Sequence, residues 1–141
     1  MNEKEALRWL SNRMPVGDDC YVMNWESDSL LLTTDMLHKN TDFPPGTTSF
    51  TVGWRSVAVS LSDIAGMGGE PEALVIAYGN SQFDQNPLKE FVKGAETLCD
   101  KYGAKIVGGD LDSHEELTVV TTALGVSDNP ITREGSTPGE L

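Results

Sequence analysis

The sequence has no basic stretch. Its 10 Lys and Arg residues are scattered, and against 22 Asp and Glu they leave a net charge of -12. A protein that grips a nucleic-acid backbone or an anionic membrane surface needs clustered positive charge, so neither partner is expected. Cysteine is nearly absent. Cys20 and Cys99 lie far apart and no Cys-x-x-Cys pair exists. Neither a zinc site nor a disulfide framework is suggested, and a reducing compartment suits the chain. No apolar run approaches the roughly 20 residues needed to cross a bilayer. The opening residues include Glu3, Lys4, Glu5 and Arg8. That is not a signal-peptide pattern, and a cytoplasmic location is expected. The phosphate-cradling pattern G-x-x-x-x-G-K-[ST] is missing, which excludes a P-loop enzyme, and so is G-x-G-x-x-G.

What is present suits one domain. The 141 residues are 38% hydrophobic, enough to build a core. Residues 2–11 predict a short helix with Ala6, Leu7 and Leu10 on one side, ended by Pro15. Strands are expected at 20–23, 30–34, 72–79, 104–107 and 117–126, and residues 36–48 read as irregular. A helix over 87–102 has one apolar stripe and one charged face, with Asn86 as cap and Gly103 as stop. The order α-β-β-α-β-α-β-β predicts an α+β (α/β two-layer) domain, a mixed sheet with helices on one face. Residues 1–126 form that domain. Residues 127–141, with Pro130, Gly135, Pro138 and Gly139, read as a linker.

The helix over 49–66 is unusual. Phe50, Trp54, Val57, Ala58, Leu61, Ile64 and Ala65 keep the helical period. The opposite side has Val52, Ser56, Val59 and Asp63 where a surface helix carries Lys and Glu. A helix without a wet face is expected to be covered on both sides. Asp63 is then shielded, and a shielded carboxylate needs a partner or a metal.

Four places set carboxylates beside small residues at the ends of elements or inside this helix. They are Gly17-Asp18-Asp19, Thr33-Thr34-Asp35, Ser62-Asp63 and Gly108-Gly109-Asp110. Magnesium takes hard oxygen ligands, which carboxylates, threonine hydroxyls and phosphates supply. Four carboxylates brought together without a cation would repel one another. Each site alone also has a plainer reading, since Asp and Gly are ordinary turn residues. His38 and His114 read as surface histidines in polar loops. Asp112, Glu115 and Glu116 read as a solvated loop.

The order and spacing of these sites, with Leu61–Gly68 as the most specific stretch, resemble the thiamine-monophosphate kinase family. That family is related to aminoimidazole ribonucleotide synthase, selenophosphate synthetase and a hydrogenase maturation factor. Thr34-Asp35-Met36-Leu37-His38 with Thr41-Asp42-Phe43 looks like the archaeal version. The resemblance implies a four-stranded-type mixed sheet and a homodimer formed through the sheets. It implies ATP and magnesium as cofactors, and thiamine monophosphate as the acceptor. Positions matching metal ligands are Asp19, Thr33, Thr34, Asp35, Asp63 and Asp110. Gly109, Asp110 and Arg133 match positions that meet ATP, and Asp42 falls where the family contacts the substrate. The family continues past a Pro-Gly-Asp into a second domain, where this chain has Pro138-Gly139-Glu140. The isolated chain is therefore expected to be a largely inactive half. Two other readings are a related ATP-dependent synthase and a non-catalytic dimerisation domain.

Overall fold

The computed structural model describes residues 1–132. Helix α1 (Glu3–Ser11) is capped by Asn2, whose side chain accepts the Glu5 backbone N–H, and buries no residue. A hairpin follows, β1 (Tyr21–Trp25) and β2 (Asp28–His38). Its tight turn puts Glu26 at φ 55. After one helical turn, α2 (Lys39–Asp42), comes the long helix α3 (Ser49–Gly66). Strand β3 (Glu70–Asn80), helix α4 (Gln85–Tyr102), strand β4 (Lys105–Ser113) and strand β5 (Thr118–Ser127) complete the chain.

All five strands join one sheet in the order β1-β2-β5-β3-β4. Only β3 and β4 are parallel, joined by α4 as a crossover. β2 and β3 both pair antiparallel with β5, which is rich in the β-branched Val and Thr that suit a central strand. Strand β1 adds one edge to a four-stranded sheet, so the mixed sheet has five strands. Helices α3 and α4 cover one face. Leu31, Val57, Ile64, Leu74 and Ala123 form the core beneath them. The other face is open.

Helix α3 spans the predicted residues. Thr48 caps it by accepting the Thr51 backbone N–H. Its crossing with α4 is close. A methyl group on Gly53 would strike the Phe91 carbonyl, and one on Gly94 would strike the Phe50 carbonyl. Two glycines, one from each helix, thus let the backbones touch.

Five expectations are revised. Helix α3 is covered by the sheet and flanked by α4, and its outer side is not covered; Trp54, Ser62 and Ala65 there are exposed. Helix α4 starts at Gln85 after Asp84, so Asn86 and Pro87 lie in its first turn and Asn86 is not the cap. Gly103 does end it, at φ 74. Strand β2 runs on to His38, and α2 follows where an irregular segment was expected. Strand β4 continues through Gly108-Gly109-Asp110 to Ser113, because β3 is long enough to pair with it throughout. The expected linker begins inside β5 and then docks. The Ile131 backbone N–H donates to the Met67 carbonyl, and the Ser127 hydroxyl donates to the Gly68 carbonyl. Residues 133–141, the rest of that linker, lie outside the described residues.

Candidate metal and nucleotide site

Alternation along β2 decides which side chains meet. Successive residues of a strand point to opposite faces. Thr33 and Asp35 face the helices and Thr34 does not. The Thr33 hydroxyl lies 3.2 Å from Asp63 Oδ2 on α3 and 2.9 Å from the Asp19 carbonyl oxygen. The Ser60 hydroxyl, one turn before Asp63, lies 3.1 Å from Asp35 Oδ2. Asp35 and Asp63 lie close enough for the Asp35 carboxyl to act on Asp63 by hydrogen bonding and by charge. The core of the site is therefore a carboxyl pair contributed by a strand and a helix, with Thr33 and Asp19 at its side.

The electrostatics agree with the geometry. Burial pushes the Asp63 carboxyl up to about 7; the hydrogen bond and the charge of Asp35 add to this, and the Thr33 hydroxyl opposes it. The neighbouring Cys20 thiol is pushed up to about 11, first by burial, then by Asp63 and Asp19. Cys20 also donates to the Asp63 backbone carbonyl at 3.4 Å, which ties the segment before β1 to α3. Burial of one carboxyl beside another disfavours two bare charges, and a cation can neutralise them. The donors are all oxygen, and their chemistry fits a hard divalent ion. Among the described residues, no three His, Cys, Asp or Glu side chains are grouped to hold an ion by themselves. Any ion here must draw further ligands from hydroxyls, water or phosphate.

The other predicted residues lie elsewhere. The Thr34 hydroxyl is on the open face, 3.0 Å from the Thr122 hydroxyl and 3.2 Å from the Thr121 carbonyl oxygen. Asp110 is exposed on the edge strand β4. It shares a row with Ala77, Val120 and Met36, with two strands between it and β2, or roughly 14 Å. Beside it, Gly109 is held against the Ile76 backbone so closely that a Cβ would strike the Ile76 carbonyl. Gly109 and Asp110 line a cavity of about 500 Å³ between β4 and α4, walled by Phe91, Val92, Ile106 and Leu111. Asp42 turns back on its own chain. Its Oδ2 accepts the His38 backbone N–H at 2.6 Å and the Thr41 hydroxyl at 3.2 Å. Arg133 lies outside the described residues.

Sequence reading did not single out Ser60 or Thr121. The signal was available in part, since Ser60 precedes Asp63 by one helical turn on a helix with only one other charged residue.

Residues 17–127 match the family model described as AIR synthase related protein, N-terminal domain. The chain belongs to that family. A thiamine-monophosphate kinase of Halobacterium salinarum is 48% identical over 141 residues, covering 99% of this chain and 48% of the relative. One from Methanospirillum hungatei is 43% identical over 139 residues, covering 97% and 48%. The chain thus spans about half the length of the curated relatives it matches. Among solved structures, AaThiL complexed with AMPPCP and TMP superposes with a TM-score of 0.87 at 25% identity, covering 97% of this chain and 47% of that one. The AIR synthase related N-terminal domain accordingly supplies the frame on which the Asp35–Asp63 pair is built.

Proposed function

We propose that this chain is the metal- and nucleotide-binding half of a thiamine-monophosphate kinase, which makes thiamine diphosphate and ADP from thiamine monophosphate and ATP. The observation that carries the reading is the near-half identity to the Halobacterium salinarum kinase across almost the whole chain. The all-oxygen carboxyl pair supports it, and so does the complex of AaThiL with AMPPCP and TMP.

In this reading Asp19, Thr33, Asp35 and Asp63 hold magnesium on the covered face of β2. Thr34 and Asp110 serve from the open face. Gly109, Asp110 and Arg133 meet ATP, and the apolar cavity beside Gly109 is suited to a flat base. Asp42 meets the substrate at the end of β2. When bound, magnesium supplies the positive charge that phosphate oxygens need near this acidic chain. A phosphate oxygen of thiamine monophosphate forms the new bond to the γ-phosphorus, and the bond to the β-phosphate oxygen breaks as ADP leaves. A phosphate monoester is already ionised near neutrality, so no side chain has to remove a proton.

The open sheet face is the proposed dimer surface. Tyr21, Met23, Leu32, Met36 and Val75 are large apolar residues exposed along it. No helix among the described residues is long and apolar enough to cross a membrane, and we place the protein in the cytoplasm.

The deciding experiment is calorimetry with AMPPCP, with and without magnesium, followed by a thiamine diphosphate assay on the full-length protein. Magnesium-dependent binding and product formation are the expected results. Turnover of an amidine-forming substrate with no thiamine diphosphate would replace the kinase reading by the synthase one. Binding of neither metal nor nucleotide by the full-length protein would leave only the dimerisation domain.

A further inference from the structure

Beneath the carboxyl pair lies a buried set of hydroxyls that the proposed chemistry does not use. Ser60 is fully buried on α3, and Thr121, on the central strand β5, is 1% exposed. Their hydroxyl oxygens are 2.5 Å apart. The Ser60 hydroxyl also lies 3.1 Å from Asp35 Oδ2 and 3.3 Å from the Thr121 carbonyl oxygen. The Thr121 hydroxyl lies 3.0 Å from the Ser56 carbonyl oxygen.

Each hydroxyl has one proton, so these contacts cannot all be donated at once. Two arrangements join the hydroxyls to Ser56 or to Asp35. In one, Thr121 donates to Ser56 and Ser60 donates to Thr121, which leaves Asp35 Oδ2 without a donor from below. In the other, Thr121 donates to Ser60 and Ser60 donates to Asp35. A third, with Thr121 donating to Ser60 and Ser60 to the Thr121 carbonyl, also leaves Asp35 Oδ2 without a donor from below. The second is the one that gives Asp35 Oδ2 a donor from below, at 3.1 Å. Neither hydroxyl reaches solvent.

We propose that Ser60 and Thr121 are positioning residues: a buried two-hydroxyl relay that fixes the Asp35 carboxyl group in place beside Asp63, oriented for a divalent cation. The inference rests on the metal-site reading above. Outer partners of metal-ligating carboxylates commonly change affinity 10- to 100-fold when removed.

The test uses the full-length protein and Mn2+ as probe, with affinity read by electron paramagnetic resonance and stability by thermal melting of the metal-free form. Ser60→Ala removes the donor to Asp35 and is expected to weaken Mn2+ binding about tenfold or more. Thr121→Val keeps the shape, loses the hydroxyl and should weaken binding in the same direction; Thr121→Ser restores the hydroxyl and should restore affinity. Ser56→Ala is the control. Its hydroxyl donates to the Val52 carbonyl inside α3, and its backbone carbonyl, which Thr121 contacts, is unchanged. Binding by Ser60→Ala within twofold of wild type overturns the proposal, as does an equal loss in Ser56→Ala. A wild-type protein that ignores Mn2+ sinks the metal reading, and the relay is then judged by crystals of metal-free Ser60→Ala. There Asp35 must have moved from Asp63; if it has kept its place, the relay is overturned as well.

Discussion

The two faces of the sheet share a backbone and differ in almost everything else. On the covered face, Leu31, Thr33 and Asp35 of β2 lie against α3, with Thr121 and Ala123 beside them on β5. Polar groups there are buried and bonded to one another; among the described residues no buried side-chain polar atom lacks a partner. On the open face, Leu32, Thr34 and Met36 alternate with them and stand in solvent. A residue's role therefore depends on whether its position along the strand is odd or even. Leu31 and Leu32 are the same residue type one position apart, yet Leu31 is fully buried and Leu32 is 44% exposed.

That contrast gives the largest expected effect. Leu31→Ala should destabilise the protein by about 3 kcal/mol, and Leu32→Ala by less than about 1 kcal/mol, in denaturant titrations of matched samples. Similar losses for the two would erase the distinction between the faces.

Next comes the charge on the covered face. Asp63→Asn should weaken magnesium–AMPPCP binding by about tenfold or more, or roughly 1.4 kcal/mol, while Asp112→Asn on the exposed edge strand should change it little. Equal effects would remove Asp63 from the site.

The pH dependence is smaller and has a definite sign. The folded-state pKa of Asp63 is raised, to about 7 from 3.8. Between those values the folded state holds a proton that the unfolded chain has released, so stability falls as pH rises through this window. Solvent screening at a half-buried carboxyl limits the change to about 1–2 kcal/mol. Metal-free protein should melt lower at pH 8 than at pH 5 on this account, and Asp63→Asn should flatten that part of the profile. A wild-type profile that rises through this window and is unaltered by Asp63→Asn would contradict the raised pKa of Asp63.

The smallest effect separates neighbouring threonines. Thr33→Val loses the bonds to Asp63 and to the Asp19 carbonyl, about 1–2 kcal/mol. Thr34→Val, facing solvent, should cost about 0.5 kcal/mol and leave the Asp63 titration alone. An Asp63 titration, followed by NMR, that shifts in Thr34→Val and holds still in Thr33→Val would reverse the assignment of faces.

Much of this was legible in the residues. The period of Phe50, Trp54, Val57, Leu61 and Ile64 marked α3 to its ends, and Gly103 marked the stop of α4, because both signals are local to one or two turns. Less visible were Gly53 and Gly94, whose meaning lies in the Phe91 and Phe50 carbonyls of the facing helix. Asp84 outcompeted Asn86 as the start of α4 for a reason that the side chains do not show, since Asp84 makes no capping hydrogen bond. The extension of β4 through Gly108-Gly109-Asp110 depended on a long partner strand. Glycine pairs ordinarily mark loops, and here β3 overrode that tendency.

By itself the sequence determined the five strands, the three longer helices, their order, the acidic character and the residue types able to meet a hard cation. These follow from periodicity and charge along the chain. Only the tertiary structure decided that Asp35 and Asp63 meet, that Thr34 looks away from them, that Asp110 stands at the far edge, and that Ser60 and Thr121 lie underneath. The reason is that strand pairing and helix packing act across the chain. Alternation assigns each side chain a face, and only the register of β2 against β5 and the seat of α3 on that face determine which side chains meet there.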